Sequence, residues 1–167
     1  NLALANAKIT TKNAALSIPV TSAVIKVVTT PLMNEEELKR AVETNSLWGE
    51  VIQMEDINDY SVFHQVISRN SKTSEMELLF VASKHSDVNA YTSMIIKAGL
   101  NPVILDVRCF TLKNAVDNSI IQGEKKQSTI LELGLSDNYL MIIYNNTPII
   151  TDIFLRPQEK QNLFEAN

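Results

Sequence analysis

The segment from Ser86 to Leu112 constrains the fold most, because it predicts a complete helix followed directly by a strand. Ser86 is predicted as the N-cap, since its hydroxyl can accept a hydrogen bond from an amide of the first turn. Apolar residues then recur at helical spacing, and Gly99 stands where a left-handed residue commonly ends a helix. Pro102 prevents further helix, so the helix is expected over 86–98.

The region before this segment shows equally clear start signals. Asn34 followed three residues later by Glu37 is typical of a capping box, and an acidic first turn favours the helix dipole. Two alternating runs joined by a polar turn predict an antiparallel hairpin. The predicted order is strand 14–18, strand 22–30, a helix from Asn34 to about Gly49, strand 61–69, strand 75–83, helix 86–98 and strand 102–108.

The order over residues 22–108 is β-α-β-β-α-β, the split βαβ arrangement. A four-stranded sheet with two helices on one face is the simplest way to bury both helical stripes. A helix over 110–119 and a three-stranded meander over 129–155 are expected next, and then a polar, frayed tail. The predicted fold class is therefore α+β: a split β-α-β-β-α-β subdomain plus a small antiparallel β-meander.

Composition excludes several classes of function. Of the 167 residues, 45% are hydrophobic and 20% are charged, which indicates a folded globular chain. The net charge of −4 argues against binding to nucleic acid or anionic lipid, because both require a basic surface. No apolar run approaches the roughly 20 residues that span a bilayer. The chain opens with Asn1 rather than Met, so we expect a trimmed fragment with any membrane anchor outside it.

Catalytic patterns are scarce, and we predict no enzyme activity, no cofactor and no metal. The four glycines are far apart, which excludes the phosphate loops built on closely spaced glycines. His64 and His85 have no ligand partner at metal-like spacing. The single cysteine, Cys109, cannot form an internal disulfide, which favours a reducing compartment. Arg108 beside it could activate the thiol, but a small buried apolar residue is the preferred interpretation.

Trp48 leaves two interpretations open. It is the only tryptophan, and it lies near the predicted end of the first helix. It could fill the core, or it could anchor a partner, because tryptophan is enriched among residues that dominate binding energy.

Several segments resemble, in order and spacing, the PilM family of actin-like type IV pilus assembly proteins. They are Thr11–Pro19, Ala23–Ile25 with Pro31 and Glu37–Leu38, Ala98–Val107 with Phe110 and Leu112, and Ile130–Gly134. The resemblance covers about Thr11 to Phe154 and implies a reduced actin-like fold. It also implies a remnant sheet subdomain (1–21 and 109–157), an inserted subdomain (22–108) and a polar tail (158–167).

Departures from the family pattern bear on function. No aspartate-containing first phosphate loop is present, and Glu132 stands where the second phosphate segment usually has aspartate. A degenerate nucleotide site resembles the GspL and BfpC type of accessory protein, found in type II secretion and bundle-forming pilus machines. The alternative is an actin-like, nucleotide-binding ATPase of the PilM type, with Glu132 as its Mg²⁺-side carboxylate and the rest of its site outside this chain.

The resemblance therefore implies a non-catalytic scaffold at the cytoplasmic face of the bacterial inner membrane. Its expected partners are the pilus or secretion assembly ATPase and an inner-membrane assembly protein or its cytoplasmic tail, with membrane contact only through segments outside this chain. The tail would lie in a groove formed by the first helix, the 22–30 strand and the 110–119 helix. The candidate partner-binding residues are Leu38, Val42, Trp48 and Phe110. A small-ligand regulatory domain is a weaker alternative that rests on fold analogy.

Overall fold

The computed structural model describes residues 4, 6–44, 47–48, 56–119, 128–134, 138–144, 147–152 and 156–165. The strands are β1 (Asn13–Ile18), β2 (Val24–Pro31), β3 (Tyr60–Asn70), β4 (Glu75–Lys84), β5 (Asn101–Val107), β6 (Ser128–Leu133), β7 (Asn138–Tyr144) and β8 (Thr147–Asp152). The helices are α1 (Glu35–Glu43), α2 (His85–Lys97), α3 (Arg108–Ser119) and α4 (Pro157–Glu165). Within the described ranges, no helix combines the length and apolar character needed to cross a membrane.

Helix α1 begins as predicted. The Asn34 side chain accepts hydrogen bonds from the amides of Glu36 and Glu37, at 3.0 and 2.9 Å. The Glu37 carboxylate in turn accepts the Asn34 amide at 2.9 Å, which completes the capping box. Three backbone amides, those of Asn34, Glu36 and Glu37, thereby gain acceptors at one helix end.

Helix α2 begins one residue earlier than predicted, and the assignment of Ser86 as its N-cap is wrong. The N-cap is Lys84, the last residue of β4, and it makes no side-chain capping hydrogen bond. The strand runs into the helix without a connecting loop, so no Ser or Asn occupies the cap position. The C-terminal prediction is confirmed, because Gly99 has a φ of 79°, a conformation that favours glycine.

The strands form three sheets rather than one four-stranded sheet and a meander. The predicted hairpin is confirmed, since β3 and β4 pair antiparallel, and β2 joins the other edge of β4. Strand β5 instead pairs in parallel with β1, with Leu16 opposite Leu105 and Ile18 opposite Val107. The prediction that β5 completes a four-stranded sheet is therefore wrong.

The division into subdomains stays a prediction, and the β1–β5 pairing crosses its proposed boundaries. The meander β6–β7–β8 is antiparallel throughout, as expected. The end of the chain differs from the expected frayed tail, because residues 157–165 form α4. Pro157 occupies the first helical position, which suits proline, and the Glu159 carboxylate accepts the Arg156 amide at 2.8 Å.

Strand β4 is buried on both faces, and each face belongs to a different core. The α1-side core consists of Val28, Leu38, Trp48, Met76, Leu78, Phe80 and Ala82. The β5-side core consists of Ile18, Val20, Leu79, Val81, Val107, Cys109, Tyr139, Met141 and Ile143. Even-numbered β4 residues from 76 to 82 point to the first core and Leu79 and Val81 to the second, as strand alternation requires.

Candidate partner-binding groove

A groove of about 850 Å³ lies between the β5-side face of the β2–β4–β3 sheet and helix α3. Phe63 and Gln65 of β3 and Leu79 of β4 contribute to its sheet side. Leu105 of β5 and Phe110 of α3 line its other side. The groove is therefore walled by separate elements that the fold brings together, and its lining combines apolar and polar side chains.

Strand β3 places Phe63 on the groove side. Phe63 lies opposite Val81 and Gln65 opposite Leu79, so all four side chains share the face that carries the β5-side core. Within the described sheet β3 is an edge strand, and the Phe63 side chain is 59% exposed. The aromatic surface of Phe63 is therefore accessible from the groove.

Helix α3 is fixed against β1 and presents its first turns to the groove. The Thr111 hydroxyl lies 3.2 Å from Ser17 Oγ and 3.2 Å from the Val107 carbonyl oxygen. Lys113 lines the groove and forms an ion pair with Asp117 within the same helix. The contact between Thr111 and Ser17 therefore ties the start of α3 to β1.

Asp106 is the carboxylate of the groove lining. Its Oδ1 accepts the Val107 amide at 2.8 Å, directly before α3 begins. This local acceptor role agrees with the interpretation of Asp106 as a residue at a strand end that supports the following helix. No group of His, Cys, Asp and Glu residues in the described part of the chain could hold a metal ion.

A second polar feature joins the start of α3 to the meander. Arg108 Nη1 lies 3.2 Å from Glu132 Oε1, and the Glu132 side chain is only 17% exposed. Glu132 and Tyr139 face each other as cross-strand neighbours of β6 and β7. Burial raises the pKa of Tyr139, and the nearby Glu132 carboxylate raises it further. The phenol oxygen and Glu132 Oε2 nevertheless have no partner at full hydrogen-bond geometry among the described residues.

Cys109 belongs to the β5-side core and is completely buried. Burial raises the pKa of its thiol from 9.0 to about 12. The thiol is therefore protonated at neutral pH and inaccessible, which agrees with the structural interpretation rather than a nucleophile.

The family described as type IV pilus assembly protein PilM matches residues 2–159. This chain belongs to that family. No curated protein matches the chain. A solved structure titled "PilM-PilN type IV pilus biogenesis complex" is similar, with a TM-score of 0.73 at 16% sequence identity. The match covers 98% of this chain and 48% of that chain, so this chain spans about half the length of the solved one.

At this identity the likeness concerns the fold, and it confirms the expected reduced actin-like fold of the PilM type. The membership in a family of type IV pilus assembly proteins agrees with the segments that carried the resemblance. Those segments had no single diagnostic motif, and their order along the chain was the informative signal.

The four predicted partner-binding residues of this PilM-family chain do not share one surface. Leu38 and Trp48 are 4% and 2% exposed in the α1-side core, and Val42 packs against that core. Trp48 contacts the ring of Phe80, with centroids 4.8 Å apart. Phe110 alone lines the groove, across the sheet from the other three. Their role in partner binding stays a prediction.

The elements of the groove also differ from the expected ones. The predicted helix 110–119 corresponds to α3, which lines the groove. The other two predicted walls, the 22–30 strand and the first helix, do not line it, and β3 does so instead. Phe63 is the groove residue that sequence reasoning missed. The sequence pattern could have indicated it. Phe63 alternates with Ser61 and Gln65, so an aromatic residue shares a strand face with polar neighbours.

Proposed function

We propose that this chain is a non-catalytic scaffold domain of a type IV pilus machine, and that its groove holds an extended cytoplasmic segment of an inner-membrane assembly protein. The observation that carries the proposal is the exposed Phe63 on edge strand β3, facing Phe110 and α3 across the groove. Aromatic residues in such positions commonly dominate the binding energy of a protein interface.

The dimensions of the groove suit a short strand-like ligand. Residues 61–67 of β3 contribute to its lining, and an extended chain of that length measures about 20 Å at roughly 3.3 Å per residue. An edge strand can accept an additional strand through its backbone groups while side chains enter pockets beside it. A partner segment of about six or seven residues would therefore place alternate apolar side chains between Phe63 and Phe110.

The fold relationship supports a protein ligand. The similar solved structure is a complex of PilM with PilN, and we infer that a membrane-associated assembly partner binds here in a comparable way. A second surface would dock the assembly ATPase, as the resemblance to GspL- and BfpC-type proteins implies. Such a scaffold would act at the cytoplasmic face of the inner membrane, with membrane contact supplied by segments outside this chain.

The second candidate function is nucleotide binding, with Glu132 beside a bound Mg²⁺. Against it, Glu132 Oε1 is already engaged by Arg108, and the side chain is 17% exposed. A carboxylate that neutralises an arginine is a poor additional ligand for a hard cation. Calorimetric titration with Mg-ATP separates the candidates, because binding that is lost in Glu132→Ala would support the nucleotide function.

The decisive experiment titrates the chain with a labelled peptide that carries the cytoplasmic segment of the cognate inner-membrane assembly protein. Phe63→Ala is expected to weaken binding at least about tenfold, which corresponds to about 1.4 kcal/mol. Ile96→Ala is the matched control, because Ile96 is also apolar and 59% exposed but lies on α2 outside the groove lining. Fluorescence anisotropy gives the affinity, and thermal unfolding confirms that both variants fold.

Equal affinities for the wild-type chain and Phe63→Ala, with both proteins folded, would contradict the groove assignment. If Phe63→Ala and Ile96→Ala both lost binding, the effect would not be specific to the groove, and this result would also contradict the groove assignment.

A further inference from the structure

One end of the groove carries two serine hydroxyl groups. Ser61 of β3 and Ser83 of β4 lie directly opposite each other in the strand register, and both line the groove. Ser83 is only 8% exposed, and its hydroxyl forms no hydrogen bond to any other residue that the structure describes. Buried hydroxyls normally have a partner, so a ligand in the groove, or water in its absence, is expected to supply one here.

Ser61 is joined to the start of α2. Its Oγ lies 3.1 Å from Nδ1 of His85, the first residue of that helix. Val88, in the first turn of α2, also lines the groove, so the start of this helix bounds the hydroxyl end. When Nδ1 carries the proton, the ring donates to Ser61 and leaves the hydroxyl hydrogen of Ser61 free for a ligand. Both serines can then donate hydrogen bonds into the groove.

The N-terminus of α2 favours a negatively charged ligand at this end. The first amides of a helix have no acceptor within the helix, and the N-cap residue Lys84 makes no side-chain capping hydrogen bond. The helix dipole also stabilises an anion at this position. Asp87 is the acidic residue of the first turn, but its Oδ1 accepts from the Ser86 hydroxyl at 3.4 Å, and it does not line the groove. Hydrogen-bond donors therefore prevail at the hydroxyl end.

We propose that the hydroxyl end of the groove, formed by Ser61 and Ser83, binds a carboxylate side chain of the partner segment. This inference rests on the proposed function and specifies the chemistry of its ligand. Ser61 and Phe63 are two residues apart on one face of β3, a distance of about 7 Å at roughly 3.3 Å per residue. A segment that pairs with β3 repeats this spacing. Its acidic residue therefore stands two positions from the apolar residue that contacts Phe63.

Two labelled peptides test the proposal by fluorescence anisotropy. The first carries the cytoplasmic segment of the cognate inner-membrane assembly protein, and the second has each acidic residue replaced by its isosteric amide. Ser83→Ala removes the buried hydroxyl, and Ser61→Ala removes the exposed one, so a folded variant remains if the first substitution disturbs the core. Ser86→Ala is the matched control, because Ser86 is exposed and lies outside the groove lining.

We expect the amide peptide to bind the wild-type chain about tenfold more weakly than the acidic peptide, because a charged acceptor makes hydrogen bonds about twice as strong as a neutral one. Ser83→Ala and Ser61→Ala should weaken binding of the acidic peptide and reduce the difference between the two peptides. Ser86→Ala should bind both peptides as the wild-type chain does.

Equal affinities of the wild-type chain for the two peptides would overturn the proposal. An unchanged difference between the peptides in folded Ser83→Ala and Ser61→Ala would overturn it as well. If Phe63→Ala still weakens binding in either case, the groove holds the partner segment without a carboxylate subsite. If neither peptide binds the wild-type chain, both the subsite and the proposed function are wrong.

Discussion

Replacement of Trp48 tests whether this side chain fills the core or anchors a partner protein. The side chain is 2% exposed and packs against two rings, Phe80 with centroids 4.8 Å apart and His64 with centroids 5.9 Å apart. We expect Trp48→Ala to destabilise the fold strongly, because the cavity that it leaves lies beneath the central sheet and cannot fill with water favourably.

The expected magnitude follows from the burial. Truncation of a fully buried Trp to Ala costs about 3–5 kcal/mol, and this range includes the transfer and cavity contributions. The tilted ring contacts with Phe80 and His64 add about 0.5–1.5 kcal/mol each in favourable cases, which favours the upper part of the range. For a chain of this length, each kcal/mol shifts Tm by about 2–4 °C, so we expect a decrease of roughly 10–20 °C.

Circular dichroism, followed during thermal and urea unfolding, measures the loss of stability. It does not depend on tryptophan fluorescence, which Trp48→Ala removes. Trp48→Phe is the first control and should cost only about 1–2 kcal/mol, because a ring still fills most of the site. Phe63→Ala is the second control and should cost less than about 1 kcal/mol, since Phe63 is 59% exposed. A Trp48→Ala protein as stable as Phe63→Ala, but with reduced partner affinity, would refute the core assignment and support the anchor.

Three further perturbations test other parts of the structure. Asn34→Ala should cost about 1 kcal/mol in urea unfolding because it removes the capping box, whereas Ser86→Ala should cost almost nothing because Ser86 caps no helix. Glu132→Ala should cost about 1–3 kcal/mol, since it removes the hydrogen-bonded ion pair between Glu132 and Arg108, and a double-mutant cycle should show coupling between the two. The raised pKa of Tyr139 makes the protonated phenol the native form, so stability should fall as pH rises above 10.0, and Tyr139→Phe should flatten this decrease in a Tm-against-pH series.

Local signals account for the elements that were predicted well. The capping box at Asn34 and Glu37 depends on residues three apart, and its hydrogen bonds form as the sequence pattern requires. The hairpin between β3 and β4 depends on alternation and a short polar turn, which are also local. The missed cap at Ser86 had the right residue type, but the preceding strand extends to Lys84 and leaves no cap position for it.

The pairing of β5 could not be predicted in the same way. Its apolar pattern specifies which side chains avoid water, but the pattern does not specify which neighbouring strand satisfies its backbone groups. Both β1 and β2 were available as apolar partners, and the structure uses β1, with an additional hydrogen bond from the Asn101 amide to the Lys12 carbonyl at 2.7 Å. Such a choice depends on contacts between residues almost 90 positions apart, here Asn13 and Asn101.

The same limit explains why the predicted binding residues do not share one surface. Strand β4 is buried on both faces, so an apolar residue from another element belongs to one of two cores, and the sequence does not say which. Helix α1 covers the face of Leu78 and Phe80, whereas α3 lies across the groove from the face of Leu79. If this separation is correct, Trp48→Ala lowers stability and leaves the affinity of the folded protein for the partner peptide unchanged, because a sheet separates it from the groove. Phe63→Ala leaves stability nearly unchanged and weakens binding of the partner peptide. The two variants together therefore distinguish the role of each face of the sheet.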